Sequence, residues 1–310
     1  MTIEGTASAS APPTVEALRD AWYAEGFGVE ARPFWAETWR RFWGHRAGVV
    51  SLAILVLLVG SAVLAPLLTG QDPLVGQPLD RLRPLFSAGH LLGTDEMGRD
   101  MLARLLYGGR LSLLAGFVPT LVATLIGTLI GTWAGFVQGA VGTVLMRLMD
   151  MLYAFPAILL AIAVSAALGP GLRNAIVAVT IVFIPPVARV AEQATRTVMV
   201  QEYMEAARLS GASRFRLVRT QLLPNVMNDI IVYASGLVGV AMVIAASLSF
   251  LGLASQPPTP EWGYMLEGLR GSIYIAPVVA VLPGIFIFIT SVAFNTFSDA
   301  LREAMNTRLG

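Results

Sequence analysis

The sequence predicts an all-α polytopic membrane protein with six transmembrane helices. Of its 310 residues, 55% are hydrophobic and 13% are charged, and the mean hydropathy is +0.69. A soluble core of this size could not bury so much apolar surface, so a bilayer must take it up. The apolar residues are gathered into runs of about 20, which is the length that a helix needs to cross the hydrocarbon layer.

Composition also excludes several kinds of function. The 21 basic and 20 acidic residues nearly cancel, which gives no electrostatic reason to expect nucleic acid as a partner. Every basic residue is an arginine and cysteine is absent, so the chain has no P-loop lysine, Schiff-base lysine or thiolate. His45 and His90 flank the first apolar run and are expected on opposite sides of the membrane, where they cannot share a metal ion. We therefore expect no metal, cofactor or catalytic residue in this chain.

The first third of the chain is predicted to contain one span. Residues 1–46 form a polar tail, and its Trp/Arg-rich end at 34–43 is typical of a segment at headgroup depth. The first span, 47–68, contains no charged residue. Residues 69–110 are predicted to form a long loop.

The remaining chain is predicted to form a core of five helices at 111–298, followed by a tail at 299–310. Apolar runs bounded by polar residues define these helices. The predicted spans are 111–137, 144–168, 175–190, 230–253 and 275–297.

The arginines indicate the orientation of the spans. Five arginines precede the first span, five lie between the fourth and fifth spans, and two lie in the C-terminal tail. The positive-inside rule places these three segments in the cytoplasm, and an even number of spans agrees because it brings both termini to one side. The loop at 69–110 must then be extracytoplasmic, although it also carries five arginines. We keep this assignment because long loops are translocated despite their charge.

Three glycines in the second span, Gly127, Gly131 and Gly135, recur every four residues. This spacing places bare backbone along one helix face and favours close packing against another helix. The alternative is that this face lines a path across the membrane.

The third span combines charge with a helix breaker. Arg147 and Asp150 stand near its start and are expected to be solvated at the membrane surface. Pro156 follows, where it removes a backbone hydrogen bond and is expected to bend the helix.

The polar segment 197–228, between the fourth and fifth spans, predicts a helix-turn-helix. Strong helix formers begin it, Gly211 supplies a position where φ can be positive, Ser213 can cap a second short helix, and Pro224 is expected to end that helix. Such a segment docks into a partner's groove or lies on the membrane surface, and periodicity alone leaves both open. The first helix is predicted to be apolar at Met204, Ala207 and Leu209 and polar at Glu202, Glu205 and Arg208.

The same segment resembles the EAA loop of ABC importer permeases. The resemblance rests on Glu205-Ala206-Ala207, then Gly211, then Leu223-Pro224, while Gln221 occupies a place where the family usually has an apolar residue. In that family the loop forms a coupling helix that sits in a cleft of the ATPase subunit, and the resemblance implies that Glu205 pairs with a nearby arginine. The implied coupling residues are Glu205, Ala206, Ala207, Arg208, Gly211, Leu223 and Pro224.

Further stretches are similar to the C-type permease subunits of dipeptide and oligopeptide importers. They include HLLGTDEMGRD at 90–100 and RLLYGGRLSL at 104–113. RLMD at 147–150, AFP at 154–156, and LSFLGL at 248–253 followed by Pro257 and Trp262 fit the same family. The resemblance covers the chain from about residue 42 to its end.

This resemblance implies a type I ABC importer permease in the inner membrane of a bacterium. The expected partners are a homologous permease subunit in a heterodimer, two ABC ATPase subunits that bind ATP and Mg²⁺, and an extracytoplasmic peptide-binding protein. The expected cargo is a dipeptide or oligopeptide, and nickel chelates, glutathione and oligosaccharides remain alternatives. The segment at 70–90 is expected to contact the binding protein or the partner permease.

Two other classes compete with this interpretation. A secondary transporter driven by an ion gradient should show inverted repeats or ionisable residues deep in its spans, and neither is evident in the sequence. An integral-membrane enzyme would need reactive side chains, for which the composition offers little.

Overall fold

The computed structural model describes residues 34–305, so the predictions for 1–33 and 306–310 lie outside the described residues. The chain divides into a unit of residues 1–40 and a unit of residues 41–310. The described part of the first unit is helical and exposes Trp35 and Trp39 by 58% and 50%. Exposed indole rings suit the headgroup depth that the sequence predicts for this segment.

The described residues are almost entirely helical, as the composition predicts. Two short 3₁₀ turns, Pro78–Asp80 and Leu269–Ser272, and one π turn, Val218–Leu222, supplement the α-helices. The α-helices in chain order are α1 (Phe34–Gly44), α2 (Arg46–Val63), α3 (Ala65–Leu68), α4 (Met101–Val137), α5 (Gly139–Tyr153), α6 (Ala157–Leu168), α7 (Leu172–Met199), α8 (Glu202–Leu209), α9 (Arg214–Leu217), α10 (Leu223–Phe250), α11 (Trp262–Gly268) and α12 (Pro277–Met305).

Five of the helices described are long and apolar enough to cross a bilayer. They are α2, α4, α7, the continuous helix Arg214–Phe250 that includes α9 and α10, and α12. The predicted span at 144–168 is instead a bent pair, because α5 and α6 meet at an angle of 89°. Pro156 explains the break, since its ring clashes with the preceding turn and its nitrogen carries no hydrogen. The prediction of six spans holds only if this pair is counted as one.

The second span begins ten residues earlier than predicted, at Met101 rather than at 111. Asp100 caps this end, and its Oδ2 accepts a hydrogen bond from the Ala103 amide at 2.8 Å. Arg104 and Arg110 are therefore helical rather than part of a loop. Apolar content alone missed these ten residues because arginines interrupt them. In the structure Arg110 Nε donates to the Ala62 carbonyl of α2 at 2.7 Å, which joins this part of α4 to the first span.

The three spaced glycines of α4 face α7 at close range. A Cβ on Gly127 would lie 2.8 Å from Val187 Cβ, and one on Gly135 would lie 2.9 Å from Thr195 Cβ. At Gly131 it would overlap the Ala188 carbonyl oxygen. Side chains at these positions would force the two helices apart.

The first and last spans meet at the end of the bundle where α2 starts and α12 ends. His45 caps α2, and its Nε2 lies 3.1 Å from Glu303 Oε2 of α12. Beside them, a Cβ on Gly48 would lie 2.6 Å from Ala300 Cβ. The start of the first span and the end of the last span therefore lie on the same side of the bundle.

The segment at 69–100 contains little regular structure, yet buried charges hold it in place. Asp95 is 5% exposed, and its Oδ1 accepts hydrogen bonds from the Met97 and Arg99 amides at 2.8 and 2.9 Å. Its Oδ2 lies 2.9 Å from Arg99 Nε and 3.3 Å from Nε of Arg104, which is 3% exposed. Arg104 also donates to the Pro73 carbonyl at 2.9 Å. One carboxylate thus ties the loop to the first turns of α4.

A second polar cluster lies in the same segment. His90 Nδ1 is 3.0 Å from Asp100 Oδ1, and His90 Nε2 is 3.8 Å from Asp80 Oδ2. Arg83 reaches the same Asp80 carboxylate at 2.6 Å. The imidazole of His90 therefore joins the middle of the segment to Asp100, the capping residue of α4. His45 belongs to a different cluster, with Glu303 at the end of α12.

Candidate functional site

The segment at 200–222, between α7 and α10, is the candidate site, and its first helix ends in a Schellman motif. α8 extends from Glu202 to Leu209. The Ala212 amide donates to the Ala207 carbonyl at 3.2 Å and the Gly211 amide to the Arg208 carbonyl at 3.0 Å. Gly211 has a φ of +77°, a left-handed conformation that glycine adopts without steric cost. The turn thus has the geometry that the sequence predicts.

The second helix begins as the sequence predicts but does not end at Pro224. Ser213 Oγ accepts a hydrogen bond from the Arg216 amide at 3.3 Å, which caps α9. A π turn follows, in which the Leu223 amide donates to the Val218 carbonyl, and the helix then continues without a break through Arg214–Phe250. The prediction that Pro224 stops the helix is therefore wrong. The wider π turn lies directly before the proline, so the missing N–H and the ring fall at the first turn of α10, where both are tolerated.

Buried apolar residues anchor the segment to the spans. Met204 and Leu222 are fully buried and Leu217 is 3% exposed. Leu222 packs with Val226 of α10 and Ala191 of α7. These contacts join the segment to α7 and α10.

Other apolar residues of the segment point away from the rest of the chain. Leu209 is 84% exposed and Phe215 is 74% exposed, while Tyr203 is 41% exposed. The three residues predicted to form one apolar side are therefore divided, because Met204 is fully buried while Leu209, at the end of α8, is exposed. Two large apolar side chains are left on the face of the turn.

The polar residues of α8 are also exposed. Glu205 and Arg208 both face solvent, and Arg208 contacts Met199 Sδ at 3.5 Å. Among the described residues Glu205 forms no ion pair, so the arginine pairing implied by the resemblance is not made within this part of the chain.

The remaining coupling candidates occupy two places. Ala206 is exposed and Ala207 is half-buried in α8, whereas Leu223 and Pro224 lie in the first turn of α10. The structure therefore places five of the seven on the short helix and its turn, and two on the span that follows.

Comparisons with known proteins decide the family. A model of the binding-protein-dependent transport system inner membrane component family matches residues 127–310, and a model of the N-terminal TM domain of oligopeptide transport permease C matches residues 33–84. The glutathione transport system permease protein GsiD of Pectobacterium atrosepticum is 42% identical over 275 residues, covering 89% of this chain and 91% of that protein. The GsiD protein of Escherichia coli is 40% identical over 280 residues, covering 90% and 92%.

The chain belongs to the family of binding-protein-dependent transport system inner membrane components. A solved inward-facing structure of the MetNI methionine ABC transporter is similar to this permease with a TM-score of 0.51 and 21% identity, covering 65% of this chain and 97% of that one. At that identity the likeness shows the fold, which is that of a type I ABC importer permease. The family prediction is confirmed, and the alternative of an ion-gradient-driven carrier is set aside.

Sequence reasoning missed two features of the permease. Phe215, which is exposed like Leu209, was not singled out, although its place between Arg214 and Arg216 in a capped helix was a signal for an exposed aromatic residue. The π turn at Val218–Leu222 has no sequence signature of its own apart from the proline that follows it.

Proposed function

We propose that this permease forms, with a homologous permease subunit, the path by which an ATP-driven importer takes up di- and oligopeptides. Glutathione is the first solute to test, because two relatives at 42% and 40% identity are named as permeases of glutathione transport systems. Two ABC ATPase subunits bind ATP and Mg²⁺, and an extracytoplasmic binding protein delivers the solute. The match to an oligopeptide permease C model supports the wider peptide class.

The exposed apolar pair Leu209 and Phe215 carries the coupling part of this proposal. Side chains exposed by 84% and 74% on a capped helix-turn-helix are suited to fill an apolar cleft on a partner. An amphipathic helix that lies on the membrane is the alternative. The Schellman turn at Gly211 and the cap at Ser213 set the shape of the turn without a partner, so little ordering free energy is lost on docking.

The proposed mechanism is alternating access. ATP binding closes the ATPase pair, α8 moves with the cleft in which it sits, and the buried side chains of Met204 and Leu222 transmit this movement to the spans. The spans then open outward to receive solute, and hydrolysis resets them. A ligand drives such a change only through different affinities for the two states, and ATP supplies this difference at the ATPase pair.

The orientation in the membrane is part of what we propose. The segment at 200–222 faces the cytoplasm, and so do both termini, because the start of α2 and the end of α12 lie on one side of the bundle. The segment at 69–100 is then extracytoplasmic, where it can contact the binding protein or the partner permease.

The test is purification of the tagged full chain from its native membrane in mild detergent, with mass spectrometry of the associated proteins. We expect a second permease, one or two P-loop ATPases and a binding protein. The assembled complex should then take up glutathione or a dipeptide into proteoliposomes only when ATP is supplied on the side of the ATPases.

Two results would overturn this proposal. One is recovery of the chain alone as a stable homo-oligomer, and the other is solute movement by the isolated chain without ATP. Uptake of an oligosaccharide or a nickel chelate, but of no peptide, would contradict the proposed peptide cargo. It would leave the proposed coupling of uptake to ATP hydrolysis intact.

A further inference from the structure

An ion pair joins α5 to α7 in the part of the molecule that crosses the membrane. Arg189 of α7 donates to Asp150 of α5, and the two side chains are 50% and 35% exposed. Arg173 and Arg189 are separated by about 24 Å of helix, which is less than the roughly 30 Å of hydrocarbon that α7 must cross. Arg173 lies at the start of α7 beside a loop, so Arg189 is the arginine at hydrocarbon depth. Asp150, expected at the membrane surface, is thus held inside it.

A second observation concerns the backbone beside this pair. The helix breaks at Ala154–Pro156 with an 89° change of direction, and the adjoining Tyr153 and Phe155 are 58% and 60% exposed. Irregular backbone at membrane depth is stable only where protein covers it or where it lines a water-filled cavity. Residues 34–305 do not cover it. The break and the ion pair are therefore on a face that does not meet lipid.

The polar face continues along both helices. On α5, Arg147 is exposed one turn before Asp150, and on α7 Gln193 is exposed one turn after Arg189. Arg196, further along α7, is paired with Glu192 at 2.7 Å. Within the described residues Arg147 forms no ion pair. Asp150 is thus paired with Arg189 alone, and Arg147 adds one unpaired cation among the described residues of this face.

We propose that this face lines the translocation path and that Arg147 and Arg189 receive a free carboxylate of the passing solute. Asp150 positions Arg189, while the planar guanidinium groups suit a carboxylate, which they bind through paired hydrogen bonds. Unmodified peptides and glutathione carry such a group. This inference rests on the proposed function and identifies a solute-contacting site for it.

Cysteine accessibility in the assembled importer tests the path. The sequence contains no cysteine, so any thiol labelling of this subunit comes from the single cysteine that is introduced. Tyr153→Cys and Phe155→Cys should react with membrane-impermeant methanethiosulfonates in at least one nucleotide state. Leu57→Cys, at a position 72% exposed on the apolar face of α2, is the matched control and should stay unreactive.

The charge of the site is tested with an anionic and a cationic methanethiosulfonate on Tyr153→Cys. Arg147→Gln should lower the ratio of anionic to cationic labelling rates by roughly three- to fivefold, since one charge at close range in water is worth about 1 kcal/mol. Arg173→Gln, an exposed arginine at the other end of α7, should leave the ratio unchanged.

Two outcomes would overturn the inference. Cysteines at 153 and 155 that never react would mean that the face is covered by the partner subunit or by lipid. Reactive cysteines with an unchanged charge ratio would mean a wet face without a carboxylate site. Uptake by the unmodified importer is measured in parallel, so failure of the proposed function would appear there and not in the labelling.

Discussion

The segments at 69–100 and 200–222 lie at opposite ends of the spans and are held together in different ways. The first has little regular structure, but Asp95 and Arg104 are buried with their hydrogen bonds made inside the chain. The second is helical and locally capped, but its charged Glu205 and its apolar Leu209 and Phe215 have few contacts of their own. Regular secondary structure is therefore a poor guide to which segment is firmly fixed.

The difference indicates different roles. A buried carboxylate shared by two guanidinium groups cannot move without leaving charges unpaired, so the segment at 69–100 is a rigid cover on α4. The segment at 200–222 keeps most of its side chains exposed and packs on α7 and α10 through Leu222, so we expect it to move as a unit with these two spans. The segment at 69–100 suits a rigid surface. The segment at 200–222 suits a movable element, or lever, that follows a bound partner subunit.

Asp95→Ala should have the largest effect, because it leaves Arg104 buried without its carboxylate. We expect a loss of about 3–5 kcal/mol of stability, measured as a lower temperature of unfolding in detergent and as faster proteolysis between residues 69 and 100. Asp72→Ala is the control, since Asp72 is exposed and only caps the Leu74 amide at 2.8 Å. Equal effects of the two substitutions would show that the buried network does not hold the segment.

Replacing Leu209 and Phe215 with serine should leave stability within about 0.5 kcal/mol, because both side chains are exposed. ATP-driven uptake should fall at least roughly tenfold, since losing apolar burial in a docked cleft costs more than about 1.4 kcal/mol. ATPase recovered with the purified chain measures the same loss. Leu79→Ser, at a position 96% exposed in the other segment, should retain the ATPase. Normal ATPase recovery from the double variant would refute the docking face.

Gly89→Val and Gly211→Val place the same backbone defect in the two segments. Both glycines have positive φ, +81° and +77°, and a Cβ on either meets nothing within 4 Å. Each substitution should cost about 1–2 kcal/mol locally. Only Gly211→Val should uncouple ATP hydrolysis from uptake, because only that turn is proposed to sit in the ATPase cleft. Comparable uptake by the two variants, with hydrolysis unchanged in both, would count against the lever.

Glu96→Gln should have the smallest effect, and the size of that effect depends on pH. Burial, and then the neighbouring Asp95, raise the pKa of Glu96 above its usual value. The folded state therefore holds the proton more tightly than the unfolded state, so stability is greatest below the ordinary pKa and declines as pH rises through the raised pKa.

At neutral pH the Gln variant should be more stable than the parent by no more than about 0.5 kcal/mol, since Glu96 is partly exposed. The difference should vanish below the ordinary pKa of a glutamate. Unfolding temperatures at the two pH values measure it, and a variant less stable at neutral pH would reverse the assigned sign.

Much of the helix-turn-helix could be predicted because its signals are local. Gly211 can take a positive φ, and Ser213 can cap a helix, whatever surrounds them. The end of the second helix at Pro224 was predicted wrongly, and the exposure of Leu209 was not foreseen, because neither the π turn nor the burial of one side of α8 has a sequence signal. A turn directs Leu209 outward, and the π turn formed with α10 carries the chain past Pro224.

The pairing of Asp150 with Arg189 could not be predicted, since 39 residues separate them along the chain. The sequence showed only that Asp150 stands near the start of an apolar run, with solvent as its expected partner. The direction of α5 depends on the 89° break that separates it from α6. The angle of a break cannot be predicted from the spacing of apolar residues.

The sequence by itself determined that this protein lies in a membrane, which apolar runs belong to its spans, and which family it resembles. These conclusions follow from the length of the apolar runs, the placement of arginines and the motif residues. Each of these signals is contained in a short stretch of the sequence. Only the tertiary structure decided which charges are shared, which apolar side chains stay exposed and how the third span is bent. Those outcomes depend on contacts between distant segments, and the free energy of a buried or exposed side chain belongs to its surroundings rather than to its neighbours in sequence.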